Sequence, residues 1–123
     1  RAGELKAAQK NWLSSPLFKH ISKDPSWRAA LTEMVEGYCG WHWTHFCKRL
    51  NVRTIKHLED IKVPALVVIG ALDEPDFLAM GDCLAERIPA ARFVTIREAG
   101  HMLNLEQAEA FNQILLGFLS HHS

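Results

Sequence analysis

Apolar residues recur at helical spacing twice early in the chain, at Leu5, Ala8 and Trp12 and again at Trp27, Ala30, Leu31, Met34 and Val35, which predicts amphipathic helices over 4–13 and 26–37. Ser15-Pro16 and Asp24-Pro25 interrupt the pattern, and Ser26 stands where it would cap the second helix. Residues 38–50 mix Trp41, Trp43 and Phe46 with Cys39, His42, His45 and Cys47 and keep no single period, with a third helix as the expected form. Residues 55–62 read as a short helix or turn running up to Pro64. The pattern then changes. Ala65-Leu66-Val67-Val68-Ile69 is a continuous apolar, largely branched run of strand length, as in a parallel strand covered on both faces. Gly70 stops it. Pro75 opens a helix with Phe77, Met80, Leu84 and Ile88 on one face, closing at Pro89. A second strand is expected over 92–97, halted by Gly100, and Ala108, Phe111, Ile114, Leu115 and Phe118 describe a final amphipathic helix. Phe77, Met80, Phe111 and Phe118 are read as core.

The order strand, helix, strand, helix gives an α/β class. The stretch between the strands, about 20 residues, is too long for a tight hairpin, so they are expected to be parallel neighbours through a right-handed crossover. With neighbouring strands about 4.8 Å apart, the loops after Ile69 and after Arg97 open on one sheet edge, where ligands bind in open parallel sheets. Two strands do not make a sheet that buries both faces of such a run. The expectation is therefore that the chain, which begins at Arg1, is part of something longer and associates with an amino-terminal half or with another copy of itself.

Composition narrows the classes. The 123 residues are 48% hydrophobic and 23% charged, with 14 Lys+Arg against 14 Asp+Glu, which excludes a disordered chain and leaves no long-range field to gather nucleic acid. The longest nearly apolar run, 63–72, falls far short of the roughly 20 residues of a membrane span. Three cysteines without framework spacing point to a reducing, cytoplasmic setting.

The chemistry-bearing residues lie in the two loops. Asp73 follows the first strand and His101 the second, and a carboxylate bonded to one imidazole nitrogen fixes the tautomer and supports the charge formed when the other nitrogen takes a proton. Asp73 also has a simpler reading as cap of the following helix, and the rival carboxylate Asp76 suits the helix dipole. Glu98 and Glu106 are read as solvated or capping residues. Cys39, His42, His45 and Cys47 are zinc-type ligands, but on one helix position 47 points away from the others, so no metal site is assigned.

In these motifs the sequence resembles the α/β-hydrolase superfamily, in whose carboxyl-terminal half a G-x-x-D after the penultimate strand and an A-G-H after the last supply acid and base. Gly70-Ala71-Leu72-Asp73 and Ala99-Gly100-His101 match, and the resemblance continues through Ile61-Lys62-Val63-Pro64, Arg87-Ile88-Pro89, Asn104-Leu105-Glu106 and Phe111-Asn112, covering roughly 55–120. It implies the carboxyl-terminal portion of an α/β-hydrolase fold, its last two parallel strands with flanking helices, over 55–123, preceded by helical cap segments over 1–54. It implies Asp73 and His101 as acid and base of a serine hydrolase acting on a small ester or lactone without cofactor, with Trp41, Trp43 and Phe46 as the apolar ceiling of the substrate pocket. The superfamily's G-x-S-x-G elbow and oxyanion loop do not occur here. Gly37-Tyr38-Cys39-Gly40-Trp41 has Trp41 where the second glycine belongs. The alternative is a non-catalytic binding module that uses the Trp-rich helical segment.

Overall fold

Two six-residue strands, β1 (Ala65–Gly70) and β2 (Ala91–Ile96), run parallel in one register from Ala65 opposite Ala91 to Gly70 opposite Ile96. They belong to a computed structural model that describes residues 2–21, 24–45 and 53–122. The helix α4 (Pro75–Arg87) crosses between them, opening with proline in its first turn and with Asp76 at the positive end of its dipole. It packs on both strands. Its Gly81 permits the approach, since a Cβ there would stand 3.3 Å from the Phe93 ring and 3.4 Å from Ile69.

Among the described residues the sheet is less covered than the apolar run of β1 predicts. β1 is half-buried from Ala65 to Ile69, β2 is half-buried at Ala91 and Val94 and exposed at Arg92, Phe93 and Thr95, and only Gly70 and Ile96 are buried. A run that reads as doubly covered here has one helix on it, which is the physical reason for the difference. A 3-10 helix over Thr54–Asp60 buries Leu58 beside α4, and Arg87 joins Glu59 at 2.7 Å. The Glu59 carboxyl is held below its ordinary range, first by its own backbone N–H and then by Arg87.

The amino-terminal part pairs α1 (Ala2–Leu13) with α2 (Pro25–Gly37), joined through a 3-10 turn at Pro16–Phe18. The cap of α2 is Asp24 rather than Ser26: Asp24 Oδ1 accepts from the Ser26 amide at 2.8 Å and from its hydroxyl at 2.6 Å. Pro25 fills the first helical position, so the capping acceptor stands one residue ahead of it, and Ser26 becomes a donor. At the other end of α2, the buried Gln9 amide of α1 donates to the carbonyls of Val35 at 3.1 Å and Glu36 at 3.2 Å, among the last carbonyls of that helix. Phe18, Ile21, Leu31 and Val35 form the buried cluster, with Leu13, Leu17 and Trp27 around it.

The third helix is a single described turn, α3 (Trp41–Thr44). Gly40 before it takes φ +70°, and a Cβ there would meet Leu5 at 2.2 Å, so glycine suits the position on both counts. The expected helix over 38–50 is thus not formed at its start, where Tyr38 is extended and Gly40 left-handed, and His45 is again extended; residues 46–50 lie outside the described residues.

After β2 come the one-turn α5 (Leu103–Glu106) and α6 (Ala108–Ser120). α6 buries none of its residues: Phe111 and Phe118 are half-buried, and Leu116 and Leu119 are 65% and 52% exposed. Of the four residues read as core, Phe77 is likewise half-buried and Met80 is exposed, because little among the described residues packs against those faces. Met102 and Leu105 pack against the cluster built by the amino-terminal helices, so the two parts share apolar contacts. No helix among the described residues is long and apolar enough to cross a membrane.

Candidate active site

The parallel register delivers both strand ends to one edge, and backbone hydrogen bonds tie the loops that follow. Ala71 N–H donates to the Ile96 carbonyl at 2.9 Å and Leu72 N–H to that of Ala99 at 2.8 Å. Gly70 makes the approach possible. A Cβ there would sit 2.2 Å from the Gly100 carbonyl oxygen, a backbone atom that has nowhere to go.

Across this junction the Nδ1 of His101 lies 3.1 Å from each oxygen of the Asp73 carboxylate. The Asp73 side chain is 3% exposed and that of His101 28%. An ionised carboxylate only accepts, so Nδ1 carries the proton and donates, leaving Nε2 as an acceptor. Asp73 Oδ1 also accepts from the Glu74 amide at 2.7 Å, yet the cap position of α4 is Glu74 itself. The carboxylate thus steadies the helix entry from one residue upstream and faces the histidine at the same time. Asp76 stays in the first turn of α4, exposed.

Two further residues surround the pair. The Phe77 ring, read from the sequence as core, lies 4.3 Å from the imidazole, centroid to centroid. Glu106, which the sequence assigns to solvent or to capping, is buried, 7% exposed, and accepts from Gly100 N–H at 2.7 Å and Met102 N–H at 3.1 Å. The capping half of that expectation holds, since Met102 is the cap residue of α5; the solvated half does not, because both oxygens face the backbone. The signal in the sequence is a carboxylate at the start of a helix, shortly after the histidine, which is capping-box spacing stretched by one position. Glu98 leads into this loop at φ +59°, a left-handed conformation that a non-glycine residue adopts at a cost. His20 covers the loop from the other side, its Cδ2 2.7 Å from where a Gly100 Cβ would be.

The aromatic residues expected in the pocket are placed differently from one another. Trp43 lines a cavity of about 410 Å³ with Trp12, Met34, Val35, Tyr38 and His42, within which Tyr38 and His42 are hydrogen-bonded. Trp41 stacks on His45, with ring centroids 5.1 Å apart, and is not part of that lining. Phe46 lies outside the described residues. The cavity wall contains neither Asp73 nor His101. Among the described residues no three of His, Cys, Asp or Glu converge to hold a metal ion, and Cys47 of the cluster falls outside them.

The fold defines the class: it is the carboxyl-terminal part of an α/β-hydrolase fold, two parallel strands with flanking helices, and sequence relatives come from the same superfamily. A solved structure of MenH from S. aureus superposes with a TM-score of 0.70 at 24% identity, over 99% of this chain and 49% of that one. Among curated proteins the chain is similar to the 2-hydroxy-6-oxononadienedioate/2-hydroxy-6-oxononatrienedioate hydrolase of Paraburkholderia phymatum, 44% identical over 62 residues, which is 50% of this chain and 22% of that protein. It is also similar to 3-oxoadipate enol-lactonase 1 of Acinetobacter baylyi, 30% identical over 78 residues, 63% of this chain and 29% of that protein. Each match thus spans less than a third of the curated relative's length. No protein-family model matches the chain.

Proposed function

We propose that this chain supplies the acid and the base of a serine hydrolase that cleaves a small ester or lactone, with the nucleophile and oxyanion hole contributed by an amino-terminal part of the protein. One observation carries the reading: a buried carboxylate bonded through both oxygens to the Nδ1 of a partly exposed imidazole, on adjoining loops at the carboxyl ends of parallel strands. Asp73 holds the tautomer and supports the imidazolium. Nε2 of His101 takes the proton of a serine hydroxyl as its oxygen attacks the acyl carbon, and returns that proton to the leaving alkoxide. Backbone amides of the amino-terminal part stabilise the oxyanion. The 3-oxoadipate enol-lactonase 1 and the 2-hydroxy-6-oxononadienedioate/2-hydroxy-6-oxononatrienedioate hydrolase among the relatives support a small acyl substrate. In this reading Trp43, on the wall of the cavity beside Trp12 and Met34, belongs to the apolar roof over it.

The test uses the protein with its amino-terminal part in place. His101→Ala lowers turnover of an activated ester by about 10⁴, and a serine-directed phosphonate labels the unsubstituted protein. Near-normal turnover in the variant removes His101 from the mechanism.

A further inference from the structure

We infer that Glu106 is a positioning residue for His101, its buried carboxylate accepting from the amides of the residues immediately before and after the histidine and so aiming the imidazole at Asp73. The inference deepens the proposed acid-base reading and rests on it, but its test needs no turnover.

Each oxygen of Glu106 has its own donor: Oε2 takes the Gly100 amide at 2.7 Å and Oε1 the Met102 amide at 3.1 Å. Asp73 acts on the ring of His101, whereas Glu106 acts on the backbone that carries it. An ordinary helix cap accounts for only one of these bonds. Met102 is the cap residue of α5, but Gly100 lies outside the helix, and no helix end requires its amide to be paired with a side chain. The grip is closed on itself, since the Glu106 amide donates back to the Met102 carbonyl at 3.0 Å. On the upstream side the Ala99 carbonyl accepts from Leu72, next to Asp73, so the Ala99–Gly100 peptide is held at its oxygen by the first loop and at its amide by Glu106, while the His101–Met102 peptide is held to α5.

The surroundings give this grip something to oppose. Glu98 holds a left-handed backbone conformation, which persists only where neighbouring contacts over-determine it. Charge-assisted bonds from a buried carboxylate are of the strength required, and removing the acceptor leaves buried N–H groups unpaired.

The experiment is nuclear magnetic resonance on the isotopically labelled protein with its amino-terminal part in place, wild type against Glu106→Gln. Glutamine keeps the shape but presents one acceptor oxygen and a donor amide, so at least one backbone N–H loses its partner. In the wild type, the expected results are a coupling across the hydrogen bond from the Gly100 and Met102 nitrogens to the Glu106 carboxyl carbon, and a single His101 tautomer protonated at Nδ1. In Glu106→Gln, exchange of the Gly100 or Met102 amide rises about tenfold or more, and the His101 ring nitrogens shift toward an average of both tautomers. Glu106→Asp keeps both acceptors on a shorter arm and gives the same reading in milder form should the glutamine variant not fold. Absent couplings in the wild type, or an unchanged His101 tautomer in a folded variant whose amides have lost protection, overturns the inference. Failure of the acid-base reading shows separately, as unaffected turnover in His101→Ala.

Discussion

Phe77 lays its ring against the imidazole of His101 at 4.3 Å between centroids and 58° between planes, from the helix that follows Asp73. The segment that brings the carboxylate to Nδ1 thus also brings an apolar wall to the ring, so the orientation of His101 is set by a hydrogen bond and a packing contact from one short stretch of chain. Phe77→Leu keeps the burial and removes the ring pair, and is expected to cost about 1 kcal/mol in chemical denaturation. A cost indistinguishable from zero would show the contact to be incidental.

Asp73→Asn leaves the shape of the site intact but offers the imidazole an amide in place of an acceptor-only carboxylate. The wrong tautomer then becomes available, and turnover in the protein with its amino-terminal part is expected to fall by about 10⁴ with little change in KM. Steady-state kinetics on a small ester decides this.

Two glycines predict opposite signs. Gly70→Ala drives a Cβ to 2.2 Å from the Gly100 carbonyl oxygen and is expected to destabilise by about 1–3 kcal/mol while spreading the two loops apart. Gly117 sits inside α6 with open space beside it, nothing lying within 4 Å of where a methyl group would stand, so Gly117→Ala is expected to stabilise by about 0.5–1 kcal/mol through helix propensity. Thermal melts of the two variants settle both.

Acid weakens the start of α2. The hydroxyl of Ser26, followed by its amide, holds the Asp24 carboxyl below its ordinary value of 3.8. A carboxyl with a lower pKa in the folded state contributes stability that is complete above the unfolded value and is lost as pH falls through the folded one. Asp24→Asn keeps a capping oxygen without the titration. Its Tm is expected to fall less steeply than that of the wild type below about pH 4, and parallel curves would assign the acid sensitivity elsewhere.

Apolar surface at Met80, Ile55, Leu116 and Leu119, each more than half exposed, predicts that the chain on its own associates and binds a hydrophobic dye. Sedimentation velocity showing a dye-silent monomer would contradict that expectation.

What the sequence discloses follows from the range of the signal. The branched run ending at Gly70 and the A-G-H after the second strand are local, and parallel topology then forces Asp73 and His101 to one edge, where they lie 3.1 Å apart. Glu106 is only half legible: its place at the start of a helix marks it as a capping residue, but that its second oxygen takes the Gly100 amide shows only in the fold. Ser26 resembles a cap because the proline before it obscures which residue stands ahead of the helix. The apolar face of α6 reads as core in any periodicity analysis, and its exposure depends on what packs there rather than on its own residues. The Trp-rich stretch has no single period, and of its two described tryptophans only Trp43 lines the cavity, while Trp41 stacks on His45.

Met102 and Leu105, directly downstream of His101, rest on the same apolar cluster as Phe18, Leu31 and Trp27. The helical lobe and the histidine loop therefore share a mechanical footing, and substitutions at Leu31 or Trp27 are expected to register at His101 without ever reaching it.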